Sequence, residues 1–233
     1  MAGQSNHTGS QTTNDLSLEL KRFGPIGIFS IIVVLLVGNI SIRNVTVPMG
    51  GILVLTWARM SNTSRKEIGY VRPTNWIKTI VAGVTFGVVL KFLLKAVIMP
   101  LLHADPVNQS YHFLSGNHSL LPFAIWTMLM AGFGEETVFR GFLFERLGKL
   151  FLSRKNKIVV IVLITSVLFA LAHLSGQGLP GAEQAFITGL SFGAMYSITS
   201  EIWMPMIAHA AFDLAALSII YFDIETKVAH LFF

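Results

Sequence analysis

Residues 157–174 read KIVVIVLITSVLFALAHL, an apolar run whose only lysine is its first residue. A helix of about 20 apolar residues spans the ~30 Å hydrocarbon core of a bilayer, so this run predicts a transmembrane helix. Further apolar runs lie at 24–42, 45–60, 76–99, 119–149, 182–199 and 203–222. The sequence therefore predicts an all-α, polytopic integral membrane protein of about seven transmembrane helices. Residues 174–181 leave room for an eighth, re-entrant element.

The composition agrees with a membrane protein. The chain is 53% hydrophobic and 12% charged, with a mean hydropathy of +0.65, whereas about 25% of the residues of a soluble domain are charged. The absence of cysteine excludes disulfide bonds, thiol catalysis and cysteine-based zinc sites. The net charge of +5 comes from short basic clusters. We therefore expect the lipid bilayer, and not nucleic acid, as a partner.

The basic residues predict an orientation, because cytoplasmic loops carry the excess of Lys and Arg. Three clusters fall on one side of the predicted membrane: Lys21 and Arg22; Arg59, Arg65, Lys66, Arg72 and Lys78; and Arg146, Lys149, Arg154, Lys155 and Lys157. The opposite loops at 100–118 and 174–182 contain neither Lys nor Arg. We therefore expect a cytoplasmic N-terminus and, with seven crossings, a C-terminus on the opposite side.

The chain is predicted to consist of a short tail and one domain. Residues 1–22 are polar and predict a flexible tail, whereas 23–233 form a single transmembrane domain. Two glycine pairs have the small-residue spacing that lets helix backbones approach closely: Gly83 with Gly87, and Gly189 with Gly193. Both pairs are therefore predicted to be packing positions.

Ionisable residues cluster inside the predicted helices of the C-terminal half, where each costs ~2.5 to 3.5 kcal/mol. They are Glu135, Glu136, Arg140, His173, His209 and Asp213. Glu136 and Arg140 are four residues apart with the acid first, the favourable order for an ion pair on one helix face. Glu135 points ~100° away from Glu136 and has no opposite charge in its own helix. Glu135 is therefore the better candidate for a general base, and Glu136 for a structural anchor.

The same spacing of four residues gives each histidine a neighbour on its helix face: Phe169 for His173, and Asp213 for His209. One histidine in a membrane helix is commonly satisfied by a backbone carbonyl, so neither residue alone indicates catalysis. Two histidines, two glutamates and an arginine on separate helices together indicate a polar site. Lys91 and Lys95 lie toward one end of their helix, and we expect them to extend outward to the membrane surface.

Three motifs follow one another on successive predicted helices: EETVFR at 135–140, FALAH at 169–173 and HAAFD at 209–213. In this order they resemble the CAAX protease and bacteriocin-processing (Abi) family of intramembrane peptidases, which includes the type II CAAX prenyl endopeptidases. The resemblance covers about residues 119–222. It implies a helical membrane fold with a cleft open to the bilayer. It also implies cleavage of a membrane-anchored peptide, such as a prenylated one.

The resemblance implies roles for the individual residues. Glu135 with His173 would activate the attacking water, and His209 with the residue at 213 would stabilise the oxyanion. Many members of the family have Asn where this chain has Asp213. An ionised Asp cannot donate a hydrogen bond. Asp213 is therefore either protonated in its apolar surroundings, or it orients His209 and leaves that ring as the donor.

Other mechanisms and functions are compatible with the same residues. Glu135, His173 and His209 could bind Zn²⁺ with water as the fourth ligand, but no His-Glu-x-x-His helix fixes that geometry, so the sequence favours catalysis without a metal or cofactor. A non-catalytic immunity or chaperone-like protein, or a proton-coupled transporter, could also bury such groups. The substrate could be a prenylated C-terminus, a bacteriocin precursor or another membrane peptide. A prokaryotic protein of this kind would act in the plasma membrane.

The predicted depths of the site residues conflict with a common site. With straight helices and these bounds, Glu135 falls near the middle of the bilayer, His173 near the outer end of its helix, and His209 in the inner half. At least one helix must therefore bend or have different bounds.

Overall fold

The structure, a computed structural model, describes residues 8–39, 46–151 and 156–232. Its α-helices are α1 (Thr8–Lys21), α2 (Pro25–Asn39), α3 (Thr46–Met60), α4 (Trp76–Leu93), α5 (Met99–Leu101), α6 (Leu121–Glu136), α7 (Leu143–Leu150), α8 (Lys157–Thr199), α9 (Trp203–Tyr221) and α10 (Glu225–Ala229). The π-helical turns Leu94–Ile98 and Thr137–Phe142 join α4 to α5 and α6 to α7. These residues contain no strand, which confirms the all-α class for the described part of the chain.

Within the described residues, each of the predicted apolar runs lies mainly on a helix. The helical segments long and apolar enough to cross a membrane are Trp76–Leu101, Lys157–Thr199 and Trp203–Tyr221, and the shorter apolar helices are Pro25–Leu36 and Met49–Met60. Large apolar side chains on the long helices are exposed, as at Ile77, Val81 and Ile198. An extended apolar surface of this kind is typical of a protein in contact with lipid.

Helix α8 is broken at Gly178, whose φ of 66° and ψ of −168° are not helical. The first arm (157–177) and the second arm (179–199) pack against each other. A Cβ on Gly189 would lie 3.0 Å from the Cα of Ser166, and one on Gly193 would lie 3.2 Å from Val162. Residue numbers rise along the second arm from Gly189 to Gly193, whereas those of the contacting residues on the first arm fall from Ser166 to Val162. The two arms are therefore antiparallel. The two predicted runs are thus separate arms of a hairpin.

The N-terminal region differs from the expected flexible tail, because Thr8–Lys21 form α1. Leu20 is buried, and Arg146 of α7 donates hydrogen bonds to the backbone oxygens of Leu20 and Lys21, each at 3.1 Å. These contacts hold the end of α1 against the domain. Arg146 is 126 residues away from Leu20 along the chain, so the polar composition of residues 1–22 gives no indication of this contact. Residues 1–7 of the predicted tail lie outside the described residues.

Helix α9 is central to the C-terminal half and packs against both α4 and α6. Gly83 of α4 lies against Ile207, and a Cβ on Gly87 would lie only 2.1 Å from the backbone oxygen of Ala208. Any side chain at Gly87 would therefore force α4 and α9 apart. Both predicted glycine pairs are confirmed as packing positions.

The prediction that Lys91 and Lys95 extend to the membrane surface is wrong. Both side chains are buried. Lys91 Nζ donates to Gln184 Oε1 at 2.9 Å, and Lys95 Nζ forms an ion pair with Glu225 Oε1 at 3.5 Å. The partners belong to α8 and α10, 93 and 130 residues away along the chain. The position of the lysines on their own helix gives no indication of these contacts.

Candidate active site

Glu136 and Arg140 form a buried ion pair where α6 passes into its π-helical turn. Arg140 donates through Nη1 to Glu136 Oε1 at 2.9 Å, and both side chains are fully buried. Arg140 also donates through Nη2 to the backbone oxygen of Gly189 at 3.0 Å. The predicted pairing is therefore confirmed. The second contact ties α6 to the second arm of α8.

His209 is held in one orientation by Glu136 and an aromatic ring. Its Nδ1 lies 2.7 Å from Glu136 Oε1. A carboxylate only accepts hydrogen bonds, so Nδ1 is the donor. The imidazole stacks on Phe192 with 5.2 Å between ring centroids. His209 Nε2 lies 3.8 Å from Glu135 Oε2 and 3.5 Å from Asp213 Oδ2.

His173 is oriented by its own helix. Its Nδ1 donates to the backbone oxygen of Phe169 at 2.8 Å, and the two rings contact each other at 4.5 Å between centroids. Since Nδ1 carries the donated proton, Nε2 of the neutral ring is an acceptor. Nε2 lies 3.9 Å from Glu135 Oε2. The hydrogen bond from Nδ1 to the backbone thus fixes the tautomer of His173, in which the unprotonated Nε2 faces Glu135.

Glu135 lies between the two imidazoles at the edge of a cavity of about 550 Å³. Its Oε2 is buried and makes no hydrogen bond with any described residue. His173, His209 and Asp213 line the same cavity. An oxygen of this kind, with acceptor capacity unused, can hold a polar molecule such as water.

Tyr111, from the loop before α6, also lines the cavity. Burial raises the pKa of Tyr111 to about 12. At neutral pH the phenol is therefore protonated and can donate a hydrogen bond into the cavity.

The structure brings together all six residues that the sequence singled out. As expected, the helices are not straight rods with the predicted bounds, because α8 reverses at Gly178 and α6 continues into a π-helical turn. Sequence reasoning missed Tyr111, which lies in an irregular loop, and Phe192. The only signal for Phe192 was its place between the packing glycines at 189 and 193.

The candidate zinc ligands are spaced slightly more widely than the ligands of a tetrahedral zinc site. In a tetrahedral zinc site with bonds of ~2.0–2.2 Å, ligand atoms lie ~3.3–3.6 Å apart. Glu135 Oε2 lies 3.9 Å from His173 Nε2 and 3.8 Å from His209 Nε2. The described residues contain no group of three or more His, Cys, Asp or Glu side chains that could hold a metal ion. These candidate ligand atoms lie a few tenths of an ångström further apart than in a tetrahedral zinc site, and metal-free catalysis stays a prediction.

Residues 117–215 match the model of a family of proteases described as type II CAAX prenyl endopeptidase Rce1-like. This segment contains all six site residues, and the match confirms the resemblance that the three motifs indicated. The motif-bearing part of the chain is thus similar to this family. No curated protein and no solved structure matches the chain. With its long apolar helices, the chain is an integral membrane protein with a region similar to type II CAAX prenyl endopeptidases.

Proposed function

We propose that the protein is a glutamate-type intramembrane endopeptidase that cleaves prenylated or otherwise hydrophobic, membrane-anchored peptides. The observation that carries the proposal is the buried Oε2 of Glu135, which has no hydrogen-bond partner among the described residues and has an imidazole Nε2 on two sides. This arrangement can hold a water molecule and accept its proton. The similarity of residues 117–215 to a protease family supports the same reaction class.

In the first step, water is bound between Glu135 and His173. Glu135 takes one proton while the water oxygen forms a bond to the carbonyl carbon of the peptide. His173 Nε2, an acceptor because Nδ1 donates to Phe169, accepts the second water hydrogen bond and orients the nucleophile. General-base assistance of this kind contributes ~10²- to 10⁴-fold to the rate.

The carbonyl oxygen then becomes an oxyanion and requires a donor, which His209 and Asp213 can supply. His209 already uses its Nδ1 proton for Glu136, so its Nε2 donates only when the ring is doubly protonated. Asp213 donates only when its carboxyl is protonated. The site thus has two possible states, one with the proton on His209 Nε2 and one with it on the Asp213 carboxyl. Each state provides one hydrogen-bond donor to the oxyanion. We assign the donor role to protonated Asp213.

In the last step, the bond between the carbonyl carbon and the amide nitrogen breaks. Protonated Glu135 returns its proton to the leaving nitrogen, which departs as an amine, and the new carboxyl group stays on the N-terminal product. Glu136 and Arg140 take no part in this exchange. Their role is to hold His209 at the oxyanion side of the cavity.

The substrate can be identified by comparing membrane peptides in cells that contain wild type or Glu135→Gln protein. We expect at least one hydrophobic membrane peptide to be shortened only with the wild type. Identical peptide profiles in a host that contains the natural substrate would contradict the peptidase function and favour a non-catalytic role.

The Asp213 assignment predicts a change in pH dependence. Activity of the wild type should fall as rising pH removes the proton of Asp213, whereas Asp213→Asn donates at every pH and should extend activity to the alkaline side. The measurement is kcat against pH for both proteins on one substrate in one lipid. A uniform loss of activity in Asp213→Asn, with the alkaline limb unmoved, would assign Asp213 to orienting His209 instead.

We also propose that the chain crosses the membrane seven times with its N-terminus in the cytoplasm, since the basic clusters lie on one side of the predicted helices. Asn62 and Ser110 are exposed in loops on opposite predicted sides. A cysteine at 110 should react with an impermeant thiol reagent in intact cells, and a cysteine at 62 only after permeabilisation. The native chain has no cysteine to give a background. The reverse labelling pattern would invert the orientation.

A further inference from the structure

Lys91 is a buried cation that lacks a close anion. Lys91 is only 5% exposed. Its Nζ donates to Gln184 Oε1 at 2.9 Å and lies 4.9 Å from the centroid of the Phe212 ring. No carboxylate oxygen of the described residues lies within 4.0 Å of Lys91 Nζ, whereas Lys95, one helical turn on, is paired with Glu225. Lys91 thus has donor capacity and positive charge that its protein neighbours leave unused.

Lys91 lies where two cavities meet. It lines the 550 Å³ cavity that contains Glu135, and it also lines an adjoining cavity of about 570 Å³. Gln184, the hydrogen-bond partner of Lys91, lines both cavities as well. A peptide bound with its scissile bond at Glu135 could therefore extend past Lys91 into the second cavity.

We propose that Lys91 binds the free C-terminal carboxylate of the substrate peptide. This inference rests on the proposed peptidase function. A buried ammonium ion forms a strong charge-assisted hydrogen bond with a carboxylate. Three extended residues span only ~10 Å, so a terminal carboxylate can lie in the same pair of cavities as the scissile bond. The hydrogen bond to the amide oxygen of Gln184 holds the ammonium group at this position.

A second role for Lys91 would leave a different signature. Asp213 lines the same cavity, so Lys91 could act only by setting the charge around Asp213. In that case its loss would affect every substrate equally, whether or not the substrate carries a terminal charge. A carboxylate-binding role affects only substrates with that charge.

The test compares an aliphatic tripeptide bearing a free carboxylate with the same tripeptide as its C-terminal amide. Binding of both to purified Glu135→Gln protein in lipid is measured, so that no turnover is needed. We expect the acid to bind roughly 10- to 100-fold more tightly than the amide, as for loss of a hydrogen bond to a charged group. In the Glu135→Gln background, Lys91→Gln should remove this preference, and Lys91→Arg should retain most of it.

Lys95→Gln, in the same background, is the matched control, because it removes a lysine that lines the second cavity but is already paired with Glu225. It should keep the preference for the acid. Equal binding of acid and amide before any lysine is changed would overturn the assignment, as would an equal loss of both in Lys91→Gln. Octanoate carries a carboxylate but no peptide. If it displaced the tripeptide at equal concentration, Lys91 would bind carboxylates in general, and the assignment to a peptide C-terminus would be overturned. Selective acid binding without cleavage of any longer peptide would contradict the proposed function and leave this site intact.

Discussion

Glu135→Gln is expected to abolish peptide cleavage while the protein stays folded and inserted in the membrane. Glutamine has nearly the shape of glutamate but cannot take a proton from water, so the loss should be ~10²- to 10⁴-fold in kcat. The change should cost little stability, because Glu135 Oε2 makes no hydrogen bond with any described residue. The measurements are kcat on an identified substrate and the thermal midpoint in the same detergent.

His209→Phe serves as a comparison, since it removes the ring on the oxyanion side and leaves the base in place. His209→Phe should also lower activity, but through loss of oxyanion stabilisation and not through loss of the general base. Residual cleavage by Glu135→Gln above about one hundredth of wild type would be too much for an enzyme that has lost its general base.

Glu136→Gln should behave differently and destabilise the protein. The change leaves the guanidinium of Arg140 fully buried without its carboxylate, and breaking a buried ion pair by removing one partner costs roughly 3 to 5 kcal/mol. It also weakens the bond that orients His209, so activity should fall together with stability. Thermal or denaturant unfolding of Glu135→Gln and Glu136→Gln under one condition measures the difference.

The double variant Glu136→Met with Arg140→Met separates the two effects of Glu136. It removes both charges, so stability should recover relative to Glu136→Gln, because an apolar pair of similar volume often replaces a buried ion pair without loss. Activity should not recover, since His209 Nδ1 then has no carboxylate to hold it. Equal stability of Glu135→Gln and Glu136→Gln would contradict the separate roles of the two glutamates.

The sequence predicted the features that depend on local spacing. Hydropathy located the apolar helices, because the length of a bilayer-spanning helix is fixed by the membrane. The spacing of four residues identified the pair of Glu136 with Arg140 and placed Asp213 beside His209, because residues four apart share a helix face. These predictions needed no knowledge of the tertiary structure.

The features that the sequence did not predict depend on distant partners. Lys91 and Lys95 are buried because Gln184 and Glu225 meet them from other helices, and α1 is held by Arg146. The π-helical turn at Thr137–Phe142 has no distinct periodicity in the sequence, yet it follows directly on the two glutamates. Short π-helical turns are frequently found at functional sites.

Hydrolysis by Glu135 without a metal is tested most directly with purified protein in liposomes that contain a farnesylated peptide ending in a CAAX-type sequence. Release of the C-terminal tripeptide is followed by mass spectrometry, with and without a strong chelator, for wild type and Glu135→Gln. We predict that the wild type releases the tripeptide at the same rate in both conditions and that Glu135→Gln releases none above background. Release that is lost on chelation and restored by Zn²⁺, or release that is unchanged in Glu135→Gln, would contradict this mechanism.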